Sequence, residues 1–222
     1  TEGAIDESIR HAMSKFSHYH FAANQDAVDR LIKMGEEPNN IFNVGCPSID
    51  AIKSVDDNSE ILTKYNLIEK DYFILIQHPV TTELNNSTSQ IITTLNALKK
   101  ADVNVLVILP NNDAGYSNII REVKSSNFTY IETLSISDYI NLLKRSIALI
   151  GNSSSGIHET ATFNIPTINI GSRQNKRLRP KNVIDVGHDE DEISAAIKLC
   201  IKSRENNRKY SNPYGDGDSA SK

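Results

Sequence analysis

The chain has 222 residues, a formal net charge of −4 and two cysteines. That length holds one full α/β domain and part of another, and a mildly acidic balance offers no field to recruit nucleic acid or an anionic membrane surface. Cys46 and Cys200 stand far apart and outside any metal-ligand spacing, which argues against a disulfide framework or a zinc site and for a reducing, cytoplasmic setting. No apolar run approaches the roughly 18 residues of a membrane helix, and no secretory signal is visible.

Taken in order, Asp6 to Ser17 reads as a helix, with Ile5, Ile9, Ala12, Met13 and Phe16 at helical spacing and acids near its start. His18 to Ala23 is a strand. Asn24 then caps a helix carrying Ala27, Val28, Leu31 and Ile32, which stops at Gly35. Ile41 to Val44 is another short strand, closed by Gly45-Cys46-Pro47. This αβαβ block has no sheet of its own to complete, and residues 1–52 fit the tail of a preceding domain. The chain opens without an initiator Met and closes on loop-like Tyr214 to Lys222, so both ends are expected to be cuts and the chain a fragment.

Ser48 to Ile68 is expected as a helical passage into a second domain. Strands follow at Tyr72 to Ile76, Val103 to Leu109, Phe128 to Ile131, Ile147 to Ile150, Thr167 to Ile170 and Val183 to Val186. They alternate with helices near Ser87 to Lys100, Tyr116 to Ser126, Ser137 to Lys144, Gly156 to Phe163 and Glu190 to Ser203. The strands are β-branched and apolar on both faces, the pattern of a parallel sheet covered on both sides. The fold class is therefore α/β, a Rossmann-like doubly wound parallel sheet, over residues 53–203. Residues 204–222 form a further C-terminal segment.

Ligands of such sheets bind beyond the carboxyl ends of the strands. Those ends read Gln77-His78-Pro79, Pro110-Asn111-Asn112-Asp113-Ala114-Gly115, Gly151-Asn152-Ser153-Ser154-Ser155-Gly156 and Gly171-Ser172-Arg173. One such end is ordinary turn chemistry; four at one rim favour a site. The Asn-Ser-Ser-Ser-Gly turn is neither a Walker loop nor a dinucleotide fingerprint nor a nucleophile elbow. It reads as an anion site or as a plain capping turn. His78 is either an acid/base or phosphate contact or a structural histidine. Glu159 is a ribose acceptor or a first-turn acid. The loop Arg173 to Lys181 holds five Lys/Arg and no acid, a phosphate clamp or a solvated loop. Asp6, Glu7 and Arg10 form an acid–base group on one helix face, usually a surface pair. The remaining histidines give no metal spacing, and no metal is assigned.

Six segments carry a resemblance: Ile5 to Ala12, Gln77 to Glu83, Pro110 to Gly115, Gly151 to Glu159, Asn169 to Gln174, and Asn212-Pro213-Tyr214-Gly215-Asp216-Gly217. In this order they resemble the UDP-N-acetylglucosamine 2-epimerase family, particularly its hydrolysing branch in sialic-acid-type sugar biosynthesis. The resemblance implies the C-terminal half of a glycosyltransferase-B-like fold of two Rossmann-type domains, with residues 204–222 crossing back toward the N-terminal one. It also implies a UDP-sugar substrate, no cofactor, and a homodimer or tetramer at full length. By motif, His78 matches the active-site histidine, assisting at the departing phosphate. Glu7 stands where the family places a catalytic carboxylate, with Asp6 beside it and Arg10 in support. Ser153, Ser154, Ser155 and Gly156 would hold the diphosphate, Glu159 the ribose, and Asn111 and Arg173 further parts of the nucleotide. The rest of the N-terminal domain, with its other carboxylates, is absent, so this chain alone is expected to be inactive. The competing readings are a non-hydrolysing epimerase, a hydrolysing enzyme acting on a diacetamido sugar nucleotide, a glycosyltransferase, and a non-catalytic nucleotide-binding remnant. A Ser-His hydrolase ranks last.

Overall fold

The computed structural model describes residues 5–204 and 209–222, with side chains from residue 8 onward. The side chains of Asp6 and Glu7 lie outside the described residues. The first elements are α1 (Ile5–Phe16), β1 (His20–Ala22), α2 (Gln25–Lys33), β2 (Ile41–Asn43) and α3 (Pro47–Lys53). The strands β1 and β2 pair in parallel, His20 opposite Ile41. As expected from its sequence, Asn24 caps α2, its side chain accepting from the Ala27 N–H at 2.9 Å. The apolar stripe of α1 meets no cover among the described residues: Met13 is 62% and Phe16 85% exposed. Phe21 and Phe42 stack on each other at the surface, ring centroids 5.6 Å apart.

The expected single helix over Ser48 to Ile68 is replaced by two short ones, α3 and α4 (Ile61–Lys64). The break falls on Asp56-Asp57-Asn58-Ser59, residue types whose side chains compete with helical hydrogen bonds. Tertiary contacts hold it open. Asn141 accepts from the Asn58 N–H at 2.8 Å and donates to the Asp56 carbonyl at 3.0 Å, and Arg145 pairs with Asp57 at 2.6 Å.

The remaining strands are β3 (Tyr72–Ile76), β4 (Asn104–Ile108), β5 (Thr129–Ile131), β6 (Leu149–Gly151), β7 (Thr167–Ile170) and β8 (Val183–Val186). They form one parallel sheet in the order β5-β4-β3-β6-β7-β8. The chain winds outward from β3 in one direction and outward from β6 in the other, so the topological switch point lies between these neighbours. Side chains alternate along β3. Phe73 and Leu75 pack under α5 (Ser87–Lys100), α6 (Tyr116–Lys124) and α9 (Glu190–Ser203), whereas Tyr72, Ile74 and Ile76 face α3, α4 and α7 (Ile136–Arg145). The expectation of strands buried on both faces holds for β3, β6 and β7; the edge strands β5 and β8 are only partly covered.

A second correction concerns the helix expected over Gly156 to Phe163. It is one turn of α-helix, α8 (Ser155–His158), followed by a 3-10 turn over Thr160–Phe163. Thr160 donates its hydroxyl back to the Gly156 carbonyl at 2.9 Å and also meets the Thr167 hydroxyl and the Asn182 amide; such back-bonding takes a carbonyl from the helix ladder. The C-terminal segment returns to α3. Cys46 N–H donates to the Tyr214 carbonyl at 2.7 Å, and Asp50 accepts from the Ser219 hydroxyl at 2.8 Å. Among the described residues, no helix is long and apolar enough to cross a membrane.

The join between β6 and its turn needs a glycine. Gly151 has φ +119°, and a Cβ there would lie 2.0 Å from the Ile76 carbonyl oxygen. Gly151→Ala is expected to destabilise the fold by about 3 kcal/mol or more in urea denaturation, since it combines backbone strain with a clash against an interior strand. An unchanged midpoint would contradict this close approach.

Candidate nucleotide site at the switch point

The site assembles on Asn152, which is 1% exposed. Its N–H donates to the Ile76 carbonyl at 3.0 Å, continuing the β3–β6 ladder by one step. Its side chain takes over from there: Oδ1 accepts from the His78 N–H at 2.7 Å and Nδ2 donates to the His78 carbonyl at 2.9 Å. Its own carbonyl accepts from Arg173 Nη1 at 3.1 Å and Gln174 Nε2 at 2.7 Å. One residue thus fixes the ends of β3, β6 and β7 to each other. The sequence reading passed over it, because asparagine in a Ser/Gly turn looks like local turn chemistry.

His78 is held on both sides. Its Nδ1 lies 2.7 Å from Asn111 Oδ1, on the loop after β4. With the amide in that orientation Nδ1 carries the hydrogen, which leaves Nε2 its lone pair. Burial pushes the imidazole down to about 4, the Arg173 charge adds to the effect, and Asn111 and Asp113 oppose it. Free His78 is therefore neutral at pH 7. Arg173 approaches Asp113 at 3.6 Å and is half-buried, which lowers the guanidinium's own pKa.

Beside these groups lies the serine turn. The Ser153 hydroxyl accepts from the Ser155 N–H at 3.3 Å, and Gly156, Ile157 and His158 N–H groups turn back to the carbonyls of Ser153 and Ser154. The N–H groups of Ser153 and Ser154 make no hydrogen bond among the described residues, and Ser154 is exposed. Because α8 is a single turn, its dipole is small; the free amides and nearby cations carry the electrostatics. Gly156 is where α8 crosses β7, and a Cβ would meet Thr167 at 2.6 Å, a packing constraint. Ser155 and Glu159 form a pair below the turn, the hydroxyl donating to Oε2 at 2.6 Å. Burial raises the Glu159 pKa, and Ser155 opposes it.

The cations converge. Arg177, half-buried, donates toward His158 Nε2 at 3.3 Å and feels the charges of Arg10, Arg173 and Arg179; burial, Arg177 and Arg10 together depress His158 to about 4. Arg10 of α1, though exposed, lies close enough for its charge to act on both His158 and Arg177. His158 stacks on Tyr214, centroids 4.1 Å apart, which ties the C-terminal segment to this edge. Of the basic loop, Arg179 is structural: it donates to the Gln174 and Arg177 carbonyls at 2.7 and 2.8 Å and pairs with Asp185 at 2.8 Å. Arg177 escaped the residue-by-residue reading, although the basic loop that contains it did not. Of the catalytic residues expected, the side chains of Asp6 and Glu7 lie outside the described residues. Among the described residues no group of three or more His, Cys, Asp or Glu side chains is arranged to hold a metal ion.

The family model described as UDP-N-acetylglucosamine 2-epimerase matches residues 1–222. The chain is 38% identical over 223 residues to a UDP-N,N'-diacetylbacillosamine 2-epimerase (hydrolyzing) of Legionella pneumophila, covering 97% of this chain and 58% of that one. It is 35% identical over 201 residues to a UDP-N-acetylglucosamine 2-epimerase of Neisseria meningitidis, covering 88% of this chain and 53% of that one. The chain thus spans a little over half the length of these relatives. Its fold is similar to a crystal structure of a Neisseria meningitidis UDP-GlcNAc 2-epimerase bound to UDP-GlcNAc, with a TM-score of 0.76, 16% identity, and coverage of 94% of this chain and 60% of that chain. A glycosyltransferase-B-like parallel α/β fold, its switch point lined as described and its sequence matched from end to end, makes this chain a C-terminal part of a member of the UDP-N-acetylglucosamine 2-epimerase family.

Proposed function

We propose that this chain is the nucleotide-binding half of a hydrolysing sugar-nucleotide 2-epimerase. The observation that carries the reading is the pair of half-buried guanidiniums Arg173 and Arg177, with exposed Arg10 near enough for its charge to act on the same edge, beside a turn with two N–H groups unpaired among the described residues. Half-buried guanidiniums are costly to desolvate, and an anion offsets that cost; a diphosphate supplies such charge. In this reading residues 1–52 belong to the N-terminal domain, residues 53–203 form the nucleotide domain, and residues 204–222 cross back. The exposed Phe16, Phe21 and Phe42, and the anchoring of Ser219 on Asp50, support that division. The enzyme works in the cytoplasm, in keeping with its free Cys46 and Cys200.

In the reaction, a base removes the C2 proton of the sugar while the C1–O bond to UDP breaks, and the electron pair forms the C1=C2 double bond. Water then adds across that bond with inversion at C2, giving a free 2-epimeric acetamido sugar and UDP, as needed for sialic-acid-type sugars. Ser153, Ser154 and Arg173 neutralise charge developing on the leaving diphosphate, Asn111 fixes His78 beside it, and Glu159 takes the ribose. The C2 proton chemistry falls to Glu7, with Asp6 alongside, and to the other domain. The hydrolysing Legionella relative supports release of the free sugar. The Neisseria relative bears no such designation, so return of the sugar to UDP is the second reading; NMR of the products, free sugar against UDP conjugate, separates them. Homo-oligomers are expected of the full-length protein.

The depressed pKa of His78 has a sign that can be measured. In the free chain it is neutral above about pH 4. A bound diphosphate offsets Arg173 and favours the imidazolium, so binding takes up protons and affinity rises as the pH falls from 7.5 toward 6. Calorimetry of UDP-N-acetylglucosamine binding, in buffers of different ionisation enthalpy, is expected to show this uptake and its loss in His78→Asn. No binding at all would sink the nucleotide reading. In the full-length enzyme His78→Asn should lower kcat by about 100-fold or more with little change in KM; wild-type turnover would remove His78 from the mechanism.

A further inference from the structure

Glu159 is a half-buried carboxylate with one protein donor. Its Oε2 accepts from Ser155 Oγ at 2.6 Å, and its Oε1 accepts from nothing among the described residues. That oxygen is not among the buried polar atoms left without a partner, so it keeps surface open to solvent or a ligand. Ser155 opens α8, so no helical carbonyl lies four residues before it, and its hydroxyl donates forward to Glu159 one turn on. A third group completes the arrangement. Tyr139, on α7, brings its hydroxyl into close hydrogen-bond contact with Ser155 Oγ. Burial keeps that phenol protonated, so it is a donor. Ser155 gives its single O–H to Glu159 Oε2, so its oxygen can only accept from the phenol, and one direction of bonding remains: Tyr139 O–H to Ser155 Oγ, and Ser155 O–H to Glu159 Oε2.

We propose that Tyr139 and Ser155 form a positioning relay for Glu159, presenting its free carboxylate oxygen to the ribose hydroxyls so that the site selects ribonucleotides over 2′-deoxyribonucleotides. This rests on the nucleotide reading above and adds to it the source of sugar selectivity. It also gives Ser155 a different task from Ser153 and Ser154: its hydroxyl is engaged below the turn and is not free for the diphosphate. Tyr139 touches no part of the ligand in this scheme. Removing its hydroxyl leaves Ser155 free to rotate to another acceptor, and Glu159 then loses its orientation while its carboxyl group is retained.

The test is the ratio of Kd values for 2′-deoxy-UDP and UDP, measured by calorimetry on wild type, Tyr139→Phe and Ser155→Ala. Wild type is expected to prefer UDP by about tenfold or more. In Tyr139→Phe the preference should shrink about three- to tenfold while 2′-deoxy-UDP affinity stays within about twofold. Ser155→Ala should bring the ratio close to that of Glu159→Ala. An unchanged ratio in both variants overturns the relay, as does an equal loss for the two nucleotides, which is the mark of a merely structural role. Equal wild-type affinities for the two overturn the relay and leave the nucleotide reading standing; a wild type that binds neither overturns both.

Discussion

The arrangement depends on the backbone and side chain of Asn152 pairing with three strands at once. Its main-chain N–H extends the β3–β6 ladder, its amide closes a two-point ring with His78, and its carbonyl collects Arg173 and Gln174. A parallel sheet ends abruptly, with each strand's last groups seeking partners. At the switch point the connections diverge to opposite sides and leave a crevice rather than a covering loop. Asn152 satisfies the strand ends without filling that crevice, so the groups around it stay fixed but accessible. Gly151, whose missing Cβ lets the turn lie against Ile76, is the steric condition for this.

Charge is then placed by neutral bonds. Arg173 is aimed by a carbonyl, the Arg177 loop is shaped by Arg179 wrapping its carbonyls, and His78 is oriented by an amide. Asp113 and Asp185 pair with Arg173 and Arg179 and the half-buried Arg177 adds its charge, so a positive field stands next to N–H groups unpaired among the described residues. Burial, with that field adding to it, keeps His78 and His158 deprotonated. In the proposed enzyme an arriving anion favours the imidazolium of His78, which couples its chemistry to occupancy.

The two blocks of the chain meet at this edge. The charge of Arg10 on α1 acts on His158, and the stacking of His158 on Tyr214 holds the C-terminal segment against α8 while Asp50 and the Cys46 N–H fasten it to α3. In the proposed enzyme this geometry separates tasks. The described domain holds the nucleotide and its departing charge, and the sugar is worked on from the other side of the cleft.

Much of this was legible in the residues. Tyr72–Ile76, Thr167–Ile170, Val183–Val186, Ser87–Lys100 and Glu190–Ser203 fall where periodicity and caps place them, because hydrophobic alternation and capping are local signals. The rim at four strand ends, with His78, Asn111, the serine turn and Arg173, follows from the parallel pattern alone. Tertiary structure decided the rest. The break between α3 and α4 depends on Asn141 and Arg145 more than 80 residues away, and the shortness of α8 depends on Thr160 meeting Thr167 and Asn182. Asn152, Arg177 and Tyr139 look like a turn residue, one basic residue among five, and a core aromatic until long-range contacts assign them. Sequence determined which elements form and where their ends converge, since those depend on neighbours along the chain. Which polar atoms are free to meet a ligand was settled only by folding, because that depends on which atoms from distant segments have already claimed them.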